Sequence, residues 1–166
     1  MTIFDFSQET SSNGWYVVND GVMGGLSQSR AVAMEDGSLV FTGVVSFENN
    51  GGFASIRRSA GLFALDGSRG IKLRIKGDGK SYQFRVRTSK QFDGVAFKHD
   101  FSTVKGEWCE IELKWTDFTA TFRGRQVPNA PELKAAAIDQ IGILIADKQE
   151  GPFELRVGHI EKTPAR

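Results

Sequence analysis

Residues 70–87 read GIKLRIKGDGKSYQFRVR, which is two runs of alternating polarity separated by a Gly-Asp-Gly turn. Apolar side chains occupy every second position in each run, and Lys, Arg or Gln lies between them. A period of two places alternate side chains on opposite faces of a β-strand, so one face is expected in a core and the other outside it. A glycine-rich turn that binds phosphate is followed by the N-terminus of a helix, and no helix is predicted after these glycines. The stretch therefore predicts two strands joined as a hairpin.

The same pattern recurs along the 166 residues. Asp-Gly and Asn-Gly pairs, which tolerate the positive φ of tight turns, separate short runs rich in β-branched and aromatic residues. The predicted strands lie near residues 15–18, 27–34, 38–47, 52–58, 70–76, 81–88, 94–99, 107–115, 118–123, 139–146 and 153–161. About ten short strands with frequent turns are typical of a sandwich or barrel. We predict an all-β jelly-roll sandwich of antiparallel strands, with one short helix near residues 131–137.

The length and charge of the chain limit the classes of protein to which it can belong. The chain suits one hydrophobic core, so residues 1–161 are expected to form a single β-sandwich domain and residues 162–166 a frayed tail. Lys and Arg number 21 against 20 Asp and Glu, so no nucleic-acid partner is expected. No apolar run approaches the length of a membrane span, and the start lacks signal- or transit-peptide features. We therefore expect a cytoplasmic protein without membrane insertion.

Side chains suited to nucleophilic catalysis are few. His99 and His159 each end a strand-like run, and no nucleophile-elbow or HExxH pattern accompanies them. Cys109 alternates with charged residues and is expected to point inward as a small apolar side chain. As the only cysteine, it forms no internal disulfide and excludes a multi-cysteine metal site. We predict no catalytic residue and no metal centre.

Paired carboxylates leave a weaker enzymatic alternative open. Glu110 with Glu112, or Asp20 with Asp147, could act as a hydrolase or transferase pair. Residues two apart on a strand share a face, but a glycosidase pair also needs a cleft and a specific separation. A protein that is not an enzyme is therefore the better prediction.

Charged side chains within residues 70–87 suggest a polar face. Its cations are Lys72, Arg74, Arg85 and Arg87. On neighbouring strands they would form one stripe, with Glu110 and Glu112 paired to them across an adjacent strand. The alternative is a ligand face on which Tyr82 or Trp108 stacks against a sugar or a peptide.

Two glycine-rich segments carry polar side chains at less regular spacing. Residues 15–27 read WYVVNDGVMGGLS, and residues 47–57 read FENNGGFASIR. Glycine-rich loops lose much conformational entropy when they adopt a fixed shape. They are explained equally well as structural turns or as a rim that grips a partner.

These segments resemble the signature of the complex I intermediate-associated protein 30 family. The resemblance covers VNDGVMGGLS at 18–27, ENNGGFASIR at 48–57, RIKGDG at 74–79 and QIGILIADKQEGPF at 140–153. The segments follow the family's order and span almost the whole chain. The resemblance implies a galactose-binding-domain-like jelly roll and a role in the assembly of respiratory complex I.

The leading hypothesis is a non-catalytic module that holds a protein partner, such as an assembly intermediate of a membrane complex. The predicted recognition residues are Asn19, Asp20, Met23, Asn49, Asn50, Arg57 and Asp147. The polar residues would hydrogen-bond the partner, and Met23 would supply an adaptable apolar contact. The alternative is a carbohydrate-binding module that uses Tyr82, Arg87 and Trp108 on a concave face. Similar jelly rolls in some cases hold a structural Ca²⁺, and no other cofactor is expected.

Overall fold

The structure is a computed structural model that describes residues 2–5, 16–17, 28–33, 38–45, 53–59, 65, 67–88, 95–122, 125–127, 133–146 and 151–164. The strands in these ranges are β1 (Thr2–Asp5), β2 (Tyr16–Val17), β3 (Gln28–Ala33), β4 (Leu39–Val45), β5 (Ala54–Ser59), β6 (Ser68–Lys76), β7 (Ser81–Arg87), β8 (Ala96–Ser102), β9 (Trp108–Lys114), β10 (Thr119–Phe122), β11 (Arg125–Gln126), β12 (Gln140–Ile145) and β13 (Gly151–Pro164). Single 3-10 turns lie at Trp115–Asp117 and Ala135–Ala137.

The strands form two antiparallel sheets. Sheet 1 has the order β3-β4-β13-β6-β9, with β1 paired to the second half of β13. Sheet 2 has the order β11-β10-β8-β7-β12-β5-β2. The predicted all-β sandwich is confirmed, and each predicted strand has a counterpart. The prediction did not include β1 and β11, which are four and two residues long.

Alternate side chains of the two sheets meet in one core. Sheet 1 contributes the fully buried side chains Leu39, Phe41, Ile71, Leu73, Ile75, Leu155 and Val157, and sheet 2 contributes Ile56, Tyr82, Phe84, Val86, Ile141 and Ile143. Burying each large apolar side chain stabilises the fold by about 1.5–3 kcal/mol. Cys109 is half-buried on β9 and packs against this core, as its alternation predicts.

The Gly-Asp-Gly turn is not the predicted hairpin. β6 belongs to sheet 1 and β7 to sheet 2, so residues 77–80 carry the chain from one sheet to the other. Gly77 passes so close to Thr103 that a Cβ atom at this position would overlap the threonine side chain. The Thr103 hydroxyl also donates to the Lys80 carbonyl oxygen at 2.7 Å and accepts from the Gly79 N–H at 3.0 Å. Thr103 therefore holds a corner between sheets.

This corner separates the predicted cationic stripe. Lys72 and Arg74 lie on sheet 1, whereas Arg85 and Arg87 lie on sheet 2, so the single stripe is wrong. On sheet 1, β9 lies next to β6, as the predicted cross-strand arrangement requires, while the charge pairing itself stays a prediction. The register of these two strands places Lys72 opposite Glu112 and Arg74 opposite Glu110.

Asp78 ties the two sheets together at the corner. Its carboxylate accepts hydrogen bonds from the Tyr82 hydroxyl, at 3.0 Å to each oxygen, and from the Lys80 N–H at 3.1 Å. It also accepts the Glu154 N–H of β13 at 2.8 Å, so one side chain bridges sheets 1 and 2. Burial, together with the negative charge of Asp78, raises the pKa of Tyr82 well above its ordinary value. The phenol therefore stays protonated and keeps donating.

Two boundary predictions are corrected. β13 continues to Pro164 and pairs with β6, so residues 162–164 are strand and not a frayed tail. The predicted helix near residues 131–137 is, within the described residues, one 3-10 turn at Ala135–Ala137. The N–H groups of Ala137 and Ile138 bond three residues back, and β12 begins at Gln140. So short a segment does not repay the cost of α-helix nucleation.

Candidate functional site

The outer face of sheet 2 carries polar side chains that are recessed from solvent. β7 turns its aromatic and valine side chains into the core, so Gln83, Arg85 and Arg87 face outward. Gln83 is nevertheless only 5% exposed and Arg87 only 8% exposed. Burying polar and charged groups costs free energy unless they are hydrogen-bonded. Such a face is unusual for a surface that meets only water.

The register brings three arginines together on this face. Arg57 of β5 and Arg85 of β7 stand on either side of Gly142 of β12, and Arg87 stands beside Gln140 in the next row. We name the outer surface formed by these five residues the arginine face. All five line one depression in the surface.

Because Gly142 has no side chain, the Arg57 side chain can lie close to the backbone of β12. A Cβ atom at position 142 would stand 2.7 Å from the backbone oxygen of Ile56 and 3.3 Å from Cγ of Arg57. The aliphatic stem of Arg57 therefore leans over β12. Arg85 is oriented by its own strand, because its Nη1 donates to Oε1 of Gln83 at 2.9 Å. The glycine thus allows two arginine side chains to approach one depression from neighbouring strands.

The chemistry of this face favours recognition. An arginine stays protonated in proteins and presents several N–H donors in one plane, which suits carboxylates and other oxygen acceptors. Amide and hydroxyl groups of Gln140 and Ser55 line the same depression. Within the ranges that the structure describes, no group of three or more His, Cys, Asp or Glu is placed to hold a metal ion.

Of the predicted recognition residues, the structure describes Arg57, which lies on the arginine face. The others, Asn19, Asp20, Met23, Asn49, Asn50 and Asp147, lie outside the described residues. Arg57 was not predicted to lie beside Arg85, Arg87 and Gly142. Period-two polarity placed each arginine on an outer face, but no local signal showed that β5, β12 and β7 are neighbours.

The strands that flank the predicted glycine-rich segments end together. Val45 at the end of β4 pairs with Gly151 at the start of β13, and Ala54 at the start of β5 pairs with Ile145 at the end of β12. β2 ends and β3 begins next to these same positions. We name this part of the sandwich the crossover end. The segments that leave the sheets there are 18–27, 46–53 and 146–150.

The three residues of the predicted sugar site do not meet. Tyr82 lies in the core at 1% exposure, so its ring offers no face to a ligand. Arg87 lies on sheet 2, while Trp108 lies on the outer face of sheet 1 with the Arg74 guanidinium 5.1 Å from its ring centre. These residues therefore do not form one sugar site, because Tyr82 lies in the core and the other two lie on different sheets.

Both histidines have nearby partners of an ordinary kind. The His99 ring packs edge-on against Phe118 with ring centroids 5.5 Å apart, and its Nδ1 lies 2.7 Å from the carbonyl oxygen of Asp100. His159 lies on sheet 1 with Nε2 at 3.8 Å from the Glu161 carboxylate. Neither histidine lines the depression of the arginine face.

Glu112 of the predicted carboxylate pair is bound by Arg69, whose Nη2 and Nε donate to one carboxylate oxygen at 3.0 and 3.2 Å. These hydrogen bonds lower the pKa of Glu112 below its ordinary value of 4.5. The pair therefore contributes stability above the unfolded-state pKa and loses it as pH falls through the folded-state pKa. Because Glu112 and Arg69 are both partly exposed, we expect a contribution below about 1 kcal/mol.

Replacing Arg69 with alanine is expected to raise the pKa of Glu112 toward 4.5, since its principal hydrogen-bond donor is removed. An NMR titration of the side-chain carboxyl carbon measures this shift. Arg30→Ala, on the edge strand β3, is the matched control and should leave the titration unchanged. An unchanged Glu112 pKa in Arg69→Ala would contradict the assignment.

The chain is similar to known proteins in both sequence and fold. Residues 4–157 match the family model for Complex I intermediate-associated protein 30. The mitochondrial protein of that name from Mus musculus is 25% identical over 178 residues, covering 95% of this chain and 54% of the relative. Its Neurospora crassa counterpart is 29% identical over 104 residues, covering 62% of this chain and 37% of the relative. The chain thus spans about half or less of these mitochondrial relatives.

A relative of similar length is an uncharacterized protein of Schizosaccharomyces pombe. It is 25% identical over 184 residues, covering 99% of this chain and 84% of the relative. Among solved structures, a family 11 carbohydrate-binding module from Clostridium thermocellum in complex with a β-1,3-1,4-mixed-linked tetrasaccharide has a TM-score of 0.70. It shares 18% identity and covers 98% of this chain and 94% of the module. At this identity the likeness shows a common sandwich fold.

The relatives correct the predicted location. The named ones are mitochondrial proteins, so the prediction of a cytoplasmic location is wrong. Charge balance and hydropathy bear on solubility and do not indicate the compartment in which a protein works. Within the described ranges, no helix is both long and apolar enough to span a membrane. Because the family model matches from residue 4 to residue 157, this chain belongs to the complex I intermediate-associated protein 30 family.

Proposed function

We propose that this chain is a non-catalytic binding module that holds an assembly intermediate of respiratory complex I, and that the arginine face and the crossover end form its recognition surface. Membership of the family and the names of the relatives support the assembly role. The recessed arginine face is the observation that carries the location of the site. Three arginines from two strands converge there on one depression.

The composition of the arginine face supports binding over proton transfer. General acid–base catalysis needs a group whose pKa lies near the working pH, and arginine remains charged throughout that range. Arg57 and Arg85 instead offer fixed donors, and Gln140 offers both donors and acceptors. A partner with complementary oxygen and amide groups would gain specificity from this set.

The crossover end would enlarge the contact area beyond the depression. A stable protein interface buries roughly 800 Å² on each partner, which is more than one small depression supplies. The predicted recognition residues of the glycine-rich segments would add that area. They are Asn19, Asp20, Met23, Asn49, Asn50 and Asp147. The described strands that border these segments in the chain begin or end at the crossover end.

Replacing Arg57 with alanine is expected to reduce capture of complex I subunits about tenfold while the fold persists, because one anchoring arginine is a large share of a hot spot. Affinity purification of the tagged chain after cross-linking in the native host, quantified by mass spectrometry, measures capture. Arg30→Ala removes an exposed arginine from sheet 1 and should capture normally. Equal recovery of subunits by Arg57→Ala and the unsubstituted chain would reject this surface.

Carbohydrate binding is a second candidate function, favoured by the fold likeness to carbohydrate-binding modules. Sugar sites of this kind need an aromatic platform, and the exposed Trp108 is already stacked by Arg74 on sheet 1. Calorimetric titration with a mixed-linked β-glucan tetrasaccharide tests this candidate. Binding that disappears in Trp108→Ala would favour it, and absence of heat would set it aside. A structural Ca²⁺ stays a prediction, tested by a lower melting temperature in EDTA.

A further inference from the structure

We infer that the arginine face binds an acidic segment of the partner protein, with a carboxylate of that segment seated over Gly142 between Arg57 and Arg85. This inference rests on the proposed function, since it names the chemistry by which the same site would take its partner.

The spacing of the strands suits one carboxylate. Neighbouring strands lie roughly 4.8 Å apart, so the Cα atoms of Arg57 and Arg85 stand about 10 Å apart across β12. The missing side chain of Gly142 opens the floor between them, and the Arg57 stem leans into that opening. The guanidinium groups of Arg57 and Arg85 each carry several N–H donors in one plane, which suits the two-point hydrogen bonds that carboxylates accept.

The charge on the described part of the arginine face also favours an acidic ligand. Arg57, Arg85 and Arg87 are joined by Lys98, which stands opposite Arg85 on β8. The acidic residue that the register adds is Asp100, which is 60% exposed and lies 3.2 Å from Lys98. Among the side chains named here, the positive ones outnumber the negative one, which favours an anionic partner over a cationic one.

A short acidic peptide fits better than a polyanion. The whole chain carries a formal net charge of only +1, so no strong long-range field favours a nucleic-acid backbone. The positive charge is local, because the three arginines line one depression. Gln140 and Ser55 in that depression would hydrogen-bond the peptide backbone beside the carboxylate.

Fluorescence anisotropy of a labelled hexaglutamate peptide with the full chain tests the inference. We expect hexaglutamate to bind at least about tenfold tighter than hexaglutamine, and to weaken as salt is raised to about 0.5 M. Arg57→Gln and Arg85→Gln should each weaken hexaglutamate binding about tenfold, because each removes a charged fork while keeping a polar group. Arg30→Gln should bind like the unsubstituted chain. Thermal melts establish that each variant is folded, and Arg57→Lys tests the fork with the charge retained.

Several results would overturn the inference. They are equal binding of the two peptides, unchanged hexaglutamate binding in both arginine variants, and displacement of hexaglutamate by oligothymidylate or inorganic phosphate at lower concentration than by free glutamate peptide. If hexaglutamate fails to bind while Arg57→Ala still loses complex I subunits, the acidic ligand is rejected and the proposed function stands. If peptide binding follows the arginines but capture does not, the proposed function fails instead.

Discussion

Replacing Asp78 with alanine is expected to lower the free energy of unfolding by about 3 kcal/mol. The carboxylate accepts the Tyr82 hydroxyl and the N–H groups of Lys80 and Glu154. Alanine would leave the phenol of Tyr82 without this acceptor in the core, and buried donors that lose their partner cost more than an average hydrogen bond contributes. Guanidinium denaturation, extrapolated linearly to water, measures the loss.

Two further variants separate the parts of this effect. Asp78→Asn keeps one acceptor oxygen and should lose about half as much stability. Tyr82→Phe removes only the phenolic hydroxyl and should lose about 1 kcal/mol. In Asp78→Ala combined with Tyr82→Phe, the losses should be less than additive because the two residues share a hydrogen bond. Strict additivity, or a loss below about 1 kcal/mol in Asp78→Ala, would show that Asp78 does not tie the sheets.

Replacing Gly142 with alanine is expected to destabilise the fold by about 2 kcal/mol and to reduce both capture and hexaglutamate binding. The new Cβ would lie 2.7 Å from the Ile56 backbone oxygen, which a central strand cannot move freely, and 3.3 Å from Cγ of Arg57. The loss must exceed the entropic gain that alanine normally brings over glycine in a strand. Denaturation measures the loss of stability, affinity purification measures capture, and fluorescence anisotropy measures hexaglutamate binding.

Gly158 supplies the matched control. A Cβ atom there would meet Cζ3 of Trp108 at 3.3 Å and Cδ of Arg74 at 3.5 Å. These are ends of side chains on an outer face and can shift, so Gly158→Ala should lose less than about 1 kcal/mol and bind normally. Equal losses in the two glycine variants would contradict the special role of Gly142.

The prediction of strands succeeded because a period of two is written in consecutive residues. β6, β7, β9 and β12 all fall within a few residues of their predicted positions. The prediction of the hairpin at residues 77–80 failed for a related reason. A Gly-Asp-Gly turn is compatible with a return in the same sheet or a step to another, and the choice depends on contacts with Thr103 and Glu154, which are distant in the chain.

In the candidate site, too, local sequence predicted single residues, whereas distant contacts decided which residues lie together. Arg57 was predicted within a glycine-rich segment, and Arg87 within an alternating run, as members of two competing sites. The structure places them on one face with Arg85 and Gly142. It also separates Tyr82, Arg87 and Trp108, which were predicted together.

Local alternation, turn residues and the family signature were enough to determine a β-sandwich of this family from the amino-acid order alone. Strand neighbours, and hence the arginine face, were decided only by tertiary structure. The physical reason is that alternation fixes which side of a strand a residue occupies, whereas pairing is selected by how all the strands together bury one core. Asp78 illustrates both parts, since it reads as a turn residue in the chain and acts as a bridge between the two sheets in the fold.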